Sequence, residues 1–220
     1  MKNKKYKGVI FDLDGTLLNT LEDLRDSVNY GLSKYNMPAR SLEEIRRFVG
    51  NGAQKLIERA VPAGTAQAEQ GQVLKAFQEY YGLHCNDKTD LYPGIRELLG
   101  ELKRLDFPMV IVSNKPQEGV DALNREYFQD FTAGAVGARE GVRKKPAPDM
   151  VTEALELLGI SAKEAVFVGD SEVDIATAIG AGMDCISVSW GFRSRREQLE
   201  AGASVFANKP EEIIPLLYLD

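Results

Sequence analysis

The chain has 220 residues, 44% of them hydrophobic and 27% charged, a composition typical of a globular protein with one large or two smaller domains. The net charge of −6 and the pI near 5.1 argue against a general nucleic-acid-binding surface. No apolar run reaches the roughly 18 residues of a membrane span, and the basic start leads into too short an apolar run for a signal peptide. Cys85 and Cys185 lie far apart without metal-type spacing. We therefore expect reduced thiols in a cytoplasmic protein that binds neither nucleic acid nor membrane.

The apolar residues 9–11 predict a buried first strand, and the segment Asp12-Leu13-Asp14-Gly15-Thr16 follows it directly. Side chains two residues apart on an extended segment point the same way, so both carboxylates face one small volume at the carboxyl edge of a sheet. Two carboxylates this close repel each other unless a cation or a shared proton lies between them. Alone, the segment could also be an Asp-Gly turn selected for its geometry.

The next segment, from about residue 17 to residue 86, carries helical periodicity and no convincing strand. Apolar residues at helical spacing predict three helices, within 21–32, 42–49 and 74–81. We therefore expect an all-helical insert with hinges near 18–20 and 87–94, where Tyr92-Pro93-Gly94 predicts a turn. A helical lid on two connecting segments can close over an active site and exclude water.

Beyond residue 90, short apolar runs alternate with segments of helical period, which predicts a mostly parallel sheet with helices on both faces. The predicted strands are 109–112, 165–168, 185–188 and 204–207. The clearest helical stripes cover 95–105 and 151–158, and Gly159 ends the second of them.

Polar segments accompany these strands at their ends. Ser113-Asn114-Lys115 follows one strand, Gly169-Asp170-Ser171-Glu172-Val173-Asp174 follows another, and Lys144-Lys145-Pro146 precedes a helix that starts near Pro148. If the strands are parallel, six side chains meet at one edge of the sheet: Asp12, Asp14, Ser113, Lys145, Asp170 and Asp174.

This set of residue types suits phosphoryl transfer. Asp12 and Asp170 can supply the carboxylates that hold Mg²⁺, while a lysine and a hydroxyl can hold phosphoryl oxygens and stabilise developing charge. Asp12 can attack phosphorus as a nucleophile, and Asp14 can protonate the leaving oxygen and later deprotonate water. Because His84 is the only histidine, a mechanism that needs two is excluded.

The motifs at Asp12–Thr16, Ser113, Lys145 and Asp170 resemble, in order, the four motifs of the haloacid dehalogenase-like hydrolase superfamily, over nearly the whole chain. The resemblance implies an α/β fold, with a Rossmann-like, mostly parallel sheet as core and a small all-helical cap inserted after the first strand. We place the core at 1–16 and 90–220 and the cap at 17–89. The implied catalytic residues are Asp12, Asp14, Ser113 and Lys145. The implied Mg²⁺ site comprises Asp12, the backbone carbonyl of Asp14 and Asp170, with Asp174 in support.

Within the superfamily, several segments are similar to phosphoglycolate phosphatases. They are Val49-Gly50-Asn51-Gly52-Ala53, Ser113-Asn114-Lys115-Pro116, Lys145-Pro146-Ala147-Pro148-Asp149 and Ser189-Trp190-Gly191-Phe192-Arg193. The similarity implies a Mg²⁺-dependent phosphatase of a small phosphate monoester, best 2-phosphoglycolate, that forms an aspartyl-phosphate. Pyrophosphatases, nucleotide or sugar-phosphate phosphatases and phosphomutases of the superfamily stay open as alternatives. Asn19 stands where many relatives carry Asp, in a hinge rather than among the catalytic positions.

Substrate recognition is expected from core and cap residues together: Thr16, Asn51, Gly52, Asn114 and Lys115. The loop Gly50-Asn51-Gly52 either contacts substrate or is a turn between helices. Arg47, Lys55 and Arg59 could pair with a substrate carboxylate, or could simply form a solvated helix face. His84 and Trp190 are expected to be structural.

Two non-enzymatic functions remain as alternatives: a phospho-acceptor of the receiver type, and a degenerate protein that serves only as a binding partner. Receiver domains lack a helical insert after the first strand, and the second alternative is disfavoured because every chemical position is filled. We expect a small-molecule phosphate ester as partner and a monomer or homodimer.

Overall fold

The computed structural model describes residues 3–219. The chain divides into two compact units, of which one is Leu18–Asp90 and the other is the chain on either side of it. Within the described residues, none of the helices combines the length and the hydropathy that a membrane crossing requires. The strands are β1 (Gly8–Phe11), β2 (Leu18–Asn19), β3 (Asp90–Leu91), β4 (Met109–Pro116), β5 (Gly134–Ala138), β6 (Ala165–Gly169), β7 (Asp184–Val188) and β8 (Phe206–Ala207). The α-helices are α1 (Leu21–Ser33), α2 (Leu42–Phe48), α3 (Ala53–Ala60), α4 (Gln67–His84), α5 (Ile95–Arg104), α6 (Gln117–Leu123), α7 (Asp149–Leu158), α8 (Glu172–Ala181), α9 (Arg195–Glu200) and α10 (Ile213–Leu216).

Six strands of the larger unit form one sheet in the order β5-β4-β1-β6-β7-β8, and each neighbouring pair is parallel. Counted along the chain, this is the order third-second-first-fourth-fifth-sixth that defines a Rossmann-like sheet. The direction of winding reverses at β1, where Ile10 pairs with Val110 of β4 and with Phe167 of β6. Ligands of open α/β sheets bind beyond the carboxyl ends of the strands at such a reversal. The predicted fold class is confirmed.

The position of β1 follows from its composition. Its residues Val9, Ile10 and Phe11 are fully buried, as expected for a central strand with helices on both faces. Ile10 shares one core cluster with strand residues of β4 and β6 and with the apolar stripe of α7. Because the strand is held on both sides, the residue that follows it has a fixed position.

The sequence patterns do not predict one strand of the six-stranded sheet, and they predict too long a range for another. The segment of β5 is Gly-Ala-Val-Gly-Ala, which has a single β-branched residue and two glycines, so it carries little strand propensity. Packing decides its structure, because a Cβ atom on Gly137 would lie 2.6 Å from Gln117 Cα. The last predicted strand, 204–207, is reduced to Phe206–Ala207.

The smaller unit contains four helices rather than the predicted three. The unpredicted α3 buries Leu56, Ile57 and Ala60 within only two turns, too short a stripe to be separated from its neighbour α2 by periodicity. Helix α1 packs against α2 and α4. A Cβ atom on Gly31 would lie 3.0 Å from Val73 O, so this glycine permits the close approach of α1 to α4.

The insert is also not entirely helical, because β2 and β3 pair as a separate two-stranded sheet at its two ends. These strands fall in the two segments where the sequence predicts hinges, and strands of two residues carry no period to detect. Asp23 of α1 fixes the returning chain: this buried carboxylate accepts hydrogen bonds of 2.8 Å from Thr89 N and Thr89 Oγ1 and of 3.0 Å from Lys88 N.

Candidate active site

Asp12 lies immediately after β1, at the reversal of the sheet. Its backbone N–H donates to Val168 O of the neighbouring β6 at 2.9 Å, which continues the parallel ladder by one residue. Gly15 then turns the chain with a φ of +92°, a conformation that glycine adopts without strain. Asp12 is buried and Asp14 is partly exposed, so the two carboxylates meet different surroundings.

Lys145 is a buried cation in contact with two carboxylates. Its Nζ donates to Asp12 Oδ1 at 2.6 Å and to Asp174 Oδ1 at 2.7 Å, and its side chain is 3% exposed. The Lys145–Pro146 peptide bond is cis. Burial lowers the pKa of Lys145, but the charges of Asp12 and Asp174 outweigh burial and raise the pKa above its ordinary value. The side chain is therefore a fixed positive charge beside Asp12.

Three buried carboxylates form a compact cluster: Asp12, Asp170 and Asp174. Each offers one oxygen atom, and these atoms lie within 4.8 Å of one another. Asp170 follows β6, the strand paired with β1, and Asp174 lies in the first turn of α8. The parallel sheet thus brings together residues more than 150 positions apart, as the sequence predicts.

The hydrogen bonds of the cluster leave two oxygens without a short hydrogen bond from the described residues. Asp174 Oδ1 accepts from Lys145, and its Oδ2 accepts from Ser171 N at 3.0 Å and from Ser171 Oγ at 2.7 Å. Asp12 Oδ1 is taken by Lys145, and Asp170 Oδ2 by Phe192 N at 2.6 Å. Within the described residues, the only donor to Asp12 Oδ2 and to Asp170 Oδ1 is Thr16 Oγ1, at 3.5 Å from each, a length at which a hydrogen bond is weak.

This donor set fits a hard divalent cation. Burial and the charge of Asp174 raise the pKa of Asp12 well above its usual range, although Lys145 opposes the shift. Burial and Asp174 also raise the pKa of Asp170 to about 7, against the opposing effect of the Phe192 N–H. Both shifts arise first from burial and then from the charge of Asp174, conditions that a bound cation would offset. Two carboxylate oxygens beside one hydroxyl are ligands of the kind that Mg²⁺ prefers.

The predicted phosphate-binding segment is part of β4 rather than the loop after it. Ser113 is buried and its Oγ accepts from Lys115 N at 3.2 Å. Asn114 Nδ2 donates to Lys145 O at 3.0 Å, so this side chain fixes the backbone that carries the lysine. The sequence predicts that Asn114 binds substrate. Its hydrogen bond to Lys145 O shows that it also supports the backbone at Lys145.

Lys115 lies next to Asp14. Its buried Nζ is 3.3 Å from Asp14 Oδ1, which has no well-aligned hydrogen bond from a described residue. Each of the two carboxylates that are predicted to act in catalysis therefore has a lysine beside it. Lys145 contacts Asp12, and Lys115 contacts Asp14. Lys115 was expected to take part in substrate recognition, and the structure gives it an ion-pair partner within the core.

The predicted recognition loop of the smaller unit is braced by an arginine. Arg59 Nη2 donates to Asn51 Oδ1 at 2.8 Å, and Arg59 Nη1 donates to Phe48 O at 2.7 Å. Gly52, with a φ of +83°, is the N-cap residue of α3. Lys55 pairs with a glutamate of its own helix, while Arg47 Nε donates to the carbonyl of Glu43.

His84 and Trp190, which were expected to be structural, make contacts that stabilise the fold. His84 stacks on the ring of Tyr80, and its Nδ1 lies 2.8 Å from an oxygen of Asp87. Trp190 Nε1 donates to Thr16 O at 3.0 Å, which ties the segment after β7 to the turn that follows Asp12. Sequence reasoning did not single out the Phe192 N–H or Gln198 near Asp170. Two sequence signals lie nearby: the segment 189–193, which is similar to phosphoglycolate phosphatases, and the capping box of Ser194 and Glu197, which marks the start of α9.

Comparison with known proteins defines the class of this fold and site. The family model described as haloacid dehalogenase-like hydrolase matches residues 9–188, so the chain belongs to that family. A phosphoglycolate phosphatase of Pseudomonas savastanoi pv. phaseolicola is 33% identical over 220 residues, which cover 96% of this chain and 80% of the relative.

Solved structures agree with this relationship. A Lactobacillus delbrueckii subsp. bulgaricus protein assigned as a phosphoglycolate phosphatase is 34% identical, with a TM-score of 0.93 and full coverage of both chains. CbbY of Rhodobacter sphaeroides, solved in complex with phosphate, is 25% identical with a TM-score of 0.73, covering 94% of this chain and 96% of that one. The predicted superfamily, the similarity to the phosphoglycolate phosphatase subgroup and the predicted enzyme class, a phosphoric monoester hydrolase, are confirmed.

Proposed function

We propose that this enzyme is a Mg²⁺-dependent phosphatase that hydrolyses 2-phosphoglycolate through a phosphorylated Asp12. The observation that carries the proposal is the setting of Asp12 at the reversal of the sheet. One oxygen of its carboxylate is held by Lys145, and the other faces Asp170 across the hydroxyl of Thr16. A carboxylate held in this way is oriented and kept out of bulk water, as a nucleophile requires.

In the first step, an oxygen of Asp12 forms a bond to phosphorus while the bond from phosphorus to the alcohol oxygen breaks. Asp14, in its protonated form, gives a proton to the departing oxygen. The ammonium group of Lys145 stabilises the negative charge that spreads over the phosphoryl oxygens. Ser113 is proposed to donate a hydrogen bond to one of these oxygens.

In the second step, Asp14 accepts a proton from a water molecule as the water oxygen attacks phosphorus. The bond between phosphorus and Asp12 breaks, which regenerates the carboxylate and releases inorganic phosphate. Lys115, 3.3 Å from Asp14, holds that carboxyl group in place during both proton transfers. The oxygens of Asp12 and Asp170 that face each other, with the backbone carbonyl of Asp14, would hold the cation, and Asp174 supports the site through Lys145 and Ser171. When bound, the cation supplies positive charge to the phosphoryl oxygens and to the attacking carboxylate.

The substrate is inferred from the names of the relatives and from the chemistry that the core leaves to the cap. The core groups recognise phosphate, which every phosphate ester shares, so discrimination falls to residues that contact the leaving alcohol. We propose the loop at Asn51 and Gly52 for this role, with Arg59 holding Asn51 in position. Small acids such as glycolate carry a carboxylate that backbone N–H groups or a cation can bind. Pyrophosphate, nucleotides and sugar phosphates, including a phosphomutase reaction, are the competing substrates.

The test is a comparison of kcat/KM for a panel of small phosphate esters with Mg²⁺, repeated in chelator. We expect 2-phosphoglycolate to be preferred and all turnover to require the cation. Asp12→Asn should abolish turnover, while Asp184→Asn, which changes an aspartate outside the cluster, should retain it. A preference for pyrophosphate or a nucleotide would refute the substrate, and full activity of Asp12→Asn would refute the mechanism.

The proposal also includes a cytoplasmic location and the oligomeric state. Cys85 and Cys185 are both free thiols, consistent with the expected reducing cytoplasm. A monomer or homodimer is expected, and the molar mass in solution measured by light scattering would decide between them.

A further inference from the structure

A buried glutamine behind Asp170 takes no part in the mechanism above. Gln198 lies in α9 and is fully buried. Its Nε2 donates two hydrogen bonds of 2.7 Å, one to Asp170 O and one to Val188 O. Asp170 directly follows β6 and Val188 ends β7, so one amide group bridges the carboxyl ends of two neighbouring parallel strands.

Within the described residues, the side-chain amide of Gln198 forms hydrogen bonds through its nitrogen only. Both hydrogens on Nε2 have acceptors, whereas Oε1 accepts no hydrogen bond from the described residues. An unpartnered buried oxygen destabilises the fold, and an apolar side chain of the same shape would avoid this cost. The hydrogen bonds to the two carbonyls are therefore the reason that a glutamine is useful here.

The other side of Asp170 is held by the segment that leads into α9. Phe192 N donates to Asp170 Oδ2 at 2.6 Å. At Gly191 a Cβ atom would lie 2.3 Å from Asp170 Cβ and 2.5 Å from Gly15 O, so only glycine permits this approach. Arg193 is buried and pairs with both carboxylate oxygens of Glu172 on α8.

These contacts leave Asp170 little freedom. Its carbonyl is fixed by Gln198 and one carboxylate oxygen is fixed by Phe192 N. The remaining oxygen lies 3.5 Å from Thr16 Oγ1, within the cluster that Asp170 forms with Asp12 and Asp174. We propose that Gln198 is a positioning residue, which holds Asp170 so that its Oδ1 faces Asp12 Oδ2 for binding of a divalent cation. The inference rests on the proposed function, because it assumes that this pair of oxygens binds the cation.

The direct test measures cation affinity without substrate. Gln198→Met keeps the length of the side chain but removes both donors. Mn²⁺ titration followed by electron paramagnetic resonance, and Mg²⁺ titration by calorimetry, should give a Kd about tenfold weaker than that of the wild type, because supporting hydrogen bonds typically change metal affinity by about 10–100-fold.

A second glutamine provides a matched control. Gln117 is half-buried and also bridges backbone groups, since its Nε2 donates to Ala135 O at 3.0 Å and its Oε1 accepts from Gly137 N at 2.6 Å. These groups belong to β5, apart from the carboxylate cluster. Gln117→Met should lower the melting temperature as Gln198→Met does, yet leave the Kd for Mn²⁺ within about twofold of the wild type. An equal weakening of cation binding in both variants would overturn the proposal.

Further arms separate failure of this inference from failure of the proposed function. If Asp170→Asn binds Mn²⁺ as the wild type does, the proposed cation site is wrong. If Asp170→Asn loses binding while Gln198→Met retains it in full, only the role of Gln198 is wrong. Should Gln198→Met not fold by circular dichroism, Gln198→Asn keeps an amide that reaches at most one of the two carbonyls. We expect this variant to bind at least about threefold more weakly. An unchanged Kd, or failure of both variants to fold, would overturn the inference.

Discussion

Replacing Asp170 by Asn should stabilise the cation-free protein while removing cation binding. The pKa of Asp170 is raised to about 7 by burial and by the charge of Asp174. A carboxyl group with a raised pKa in the folded state ionises first in the unfolded state, so the folded protein binds more protons. Its contribution therefore makes the cation-free protein less stable as the pH rises from about 4 to about 7.

The size of the effect follows from the shift. Each pKa unit corresponds to about 1.4 kcal/mol, so a rise from the ordinary value to about 7 costs at most about 4 kcal/mol once the group is fully ionised. Asp12 is repelled by the same Asp174 charge, and its ionisation is easier when Asp170 is neutral. We therefore expect a net loss of roughly 2–3 kcal/mol between about pH 4 and about pH 7. For a chain of this length that is roughly 5–10 °C in Tm.

Thermal unfolding in chelator, at several pH values in this range, measures the effect. The wild type should lose stability as the pH rises, and Asp170→Asn should reduce that loss by at least about half. Asp184→Asn is the matched control, because hydrogen bonding to Tyr6 lowers the pKa of Asp184, and its removal cannot relieve the cluster. Added Mg²⁺ should stabilise the wild type and the control but not Asp170→Asn. Parallel pH dependence in the wild type and Asp170→Asn would refute the reasoning.

Four further outcomes follow from the site. Asp12→Asn should eliminate turnover with the fold intact, and substantial residual turnover at saturating Mg²⁺ would exclude Asp12 as nucleophile. Ca²⁺ should support activity poorly because it takes more ligands at longer distances, which kcat measured with each cation would show. Lys115→Ala should lower kcat/KM about ten- to a hundredfold for 2-phosphoglycolate and for an aryl phosphate alike, since it lies on Asp14. Asn51→Ala should lower kcat/KM by about tenfold for 2-phosphoglycolate only. If Asn51→Ala loses kcat/KM equally on both substrates, Asn51 does not recognise the substrate. If Lys115→Ala loses more kcat/KM on 2-phosphoglycolate than on the aryl phosphate, Lys115 does recognise it.

The parts of the fold that the sequence predicts are those with strong local patterns. The fully apolar β1 and the four-residue stripe of α5 are where the patterns place them, since a buried strand and an amphipathic helix each carry their own period. Two of the missed elements, β5 and α3, were missed for different reasons. The segment of β5 has weak strand propensity and forms through packing against other elements. Helix α3 consists of good helix formers, but its stripe of two turns is too short to be separated from α2 by periodicity.

The site divides in the same way. The cluster of Asp12, Asp170 and Asp174 could be predicted, because residues after parallel strands meet at one edge of the sheet. The position of Lys115 against Asp14 could not, because it depends on the rotation of the end of β4. Nor could the role of Gln198, since a glutamine in a short, mostly exposed helix gives no sign that its amide spans two strand ends.

The balance of charge in the core unit explains why its stability and its chemistry oppose each other. Four carboxylates have two ammonium groups among them, namely Asp12, Asp14, Asp170 and Asp174 with Lys115 and Lys145. When all six groups are ionised, two negative charges are left without a positive partner. A single divalent cation would neutralise both charges. Fixed donors occupy both oxygens of Asp174, Asp12 Oδ1 and Asp170 Oδ2, and the remaining oxygens of Asp12 and Asp170 are the proposed ligands of the cation. Asp170→Asn should therefore strengthen the cation-free fold and weaken the enzyme, because the buried charge that lowers stability is carried by a group proposed to bind the cation.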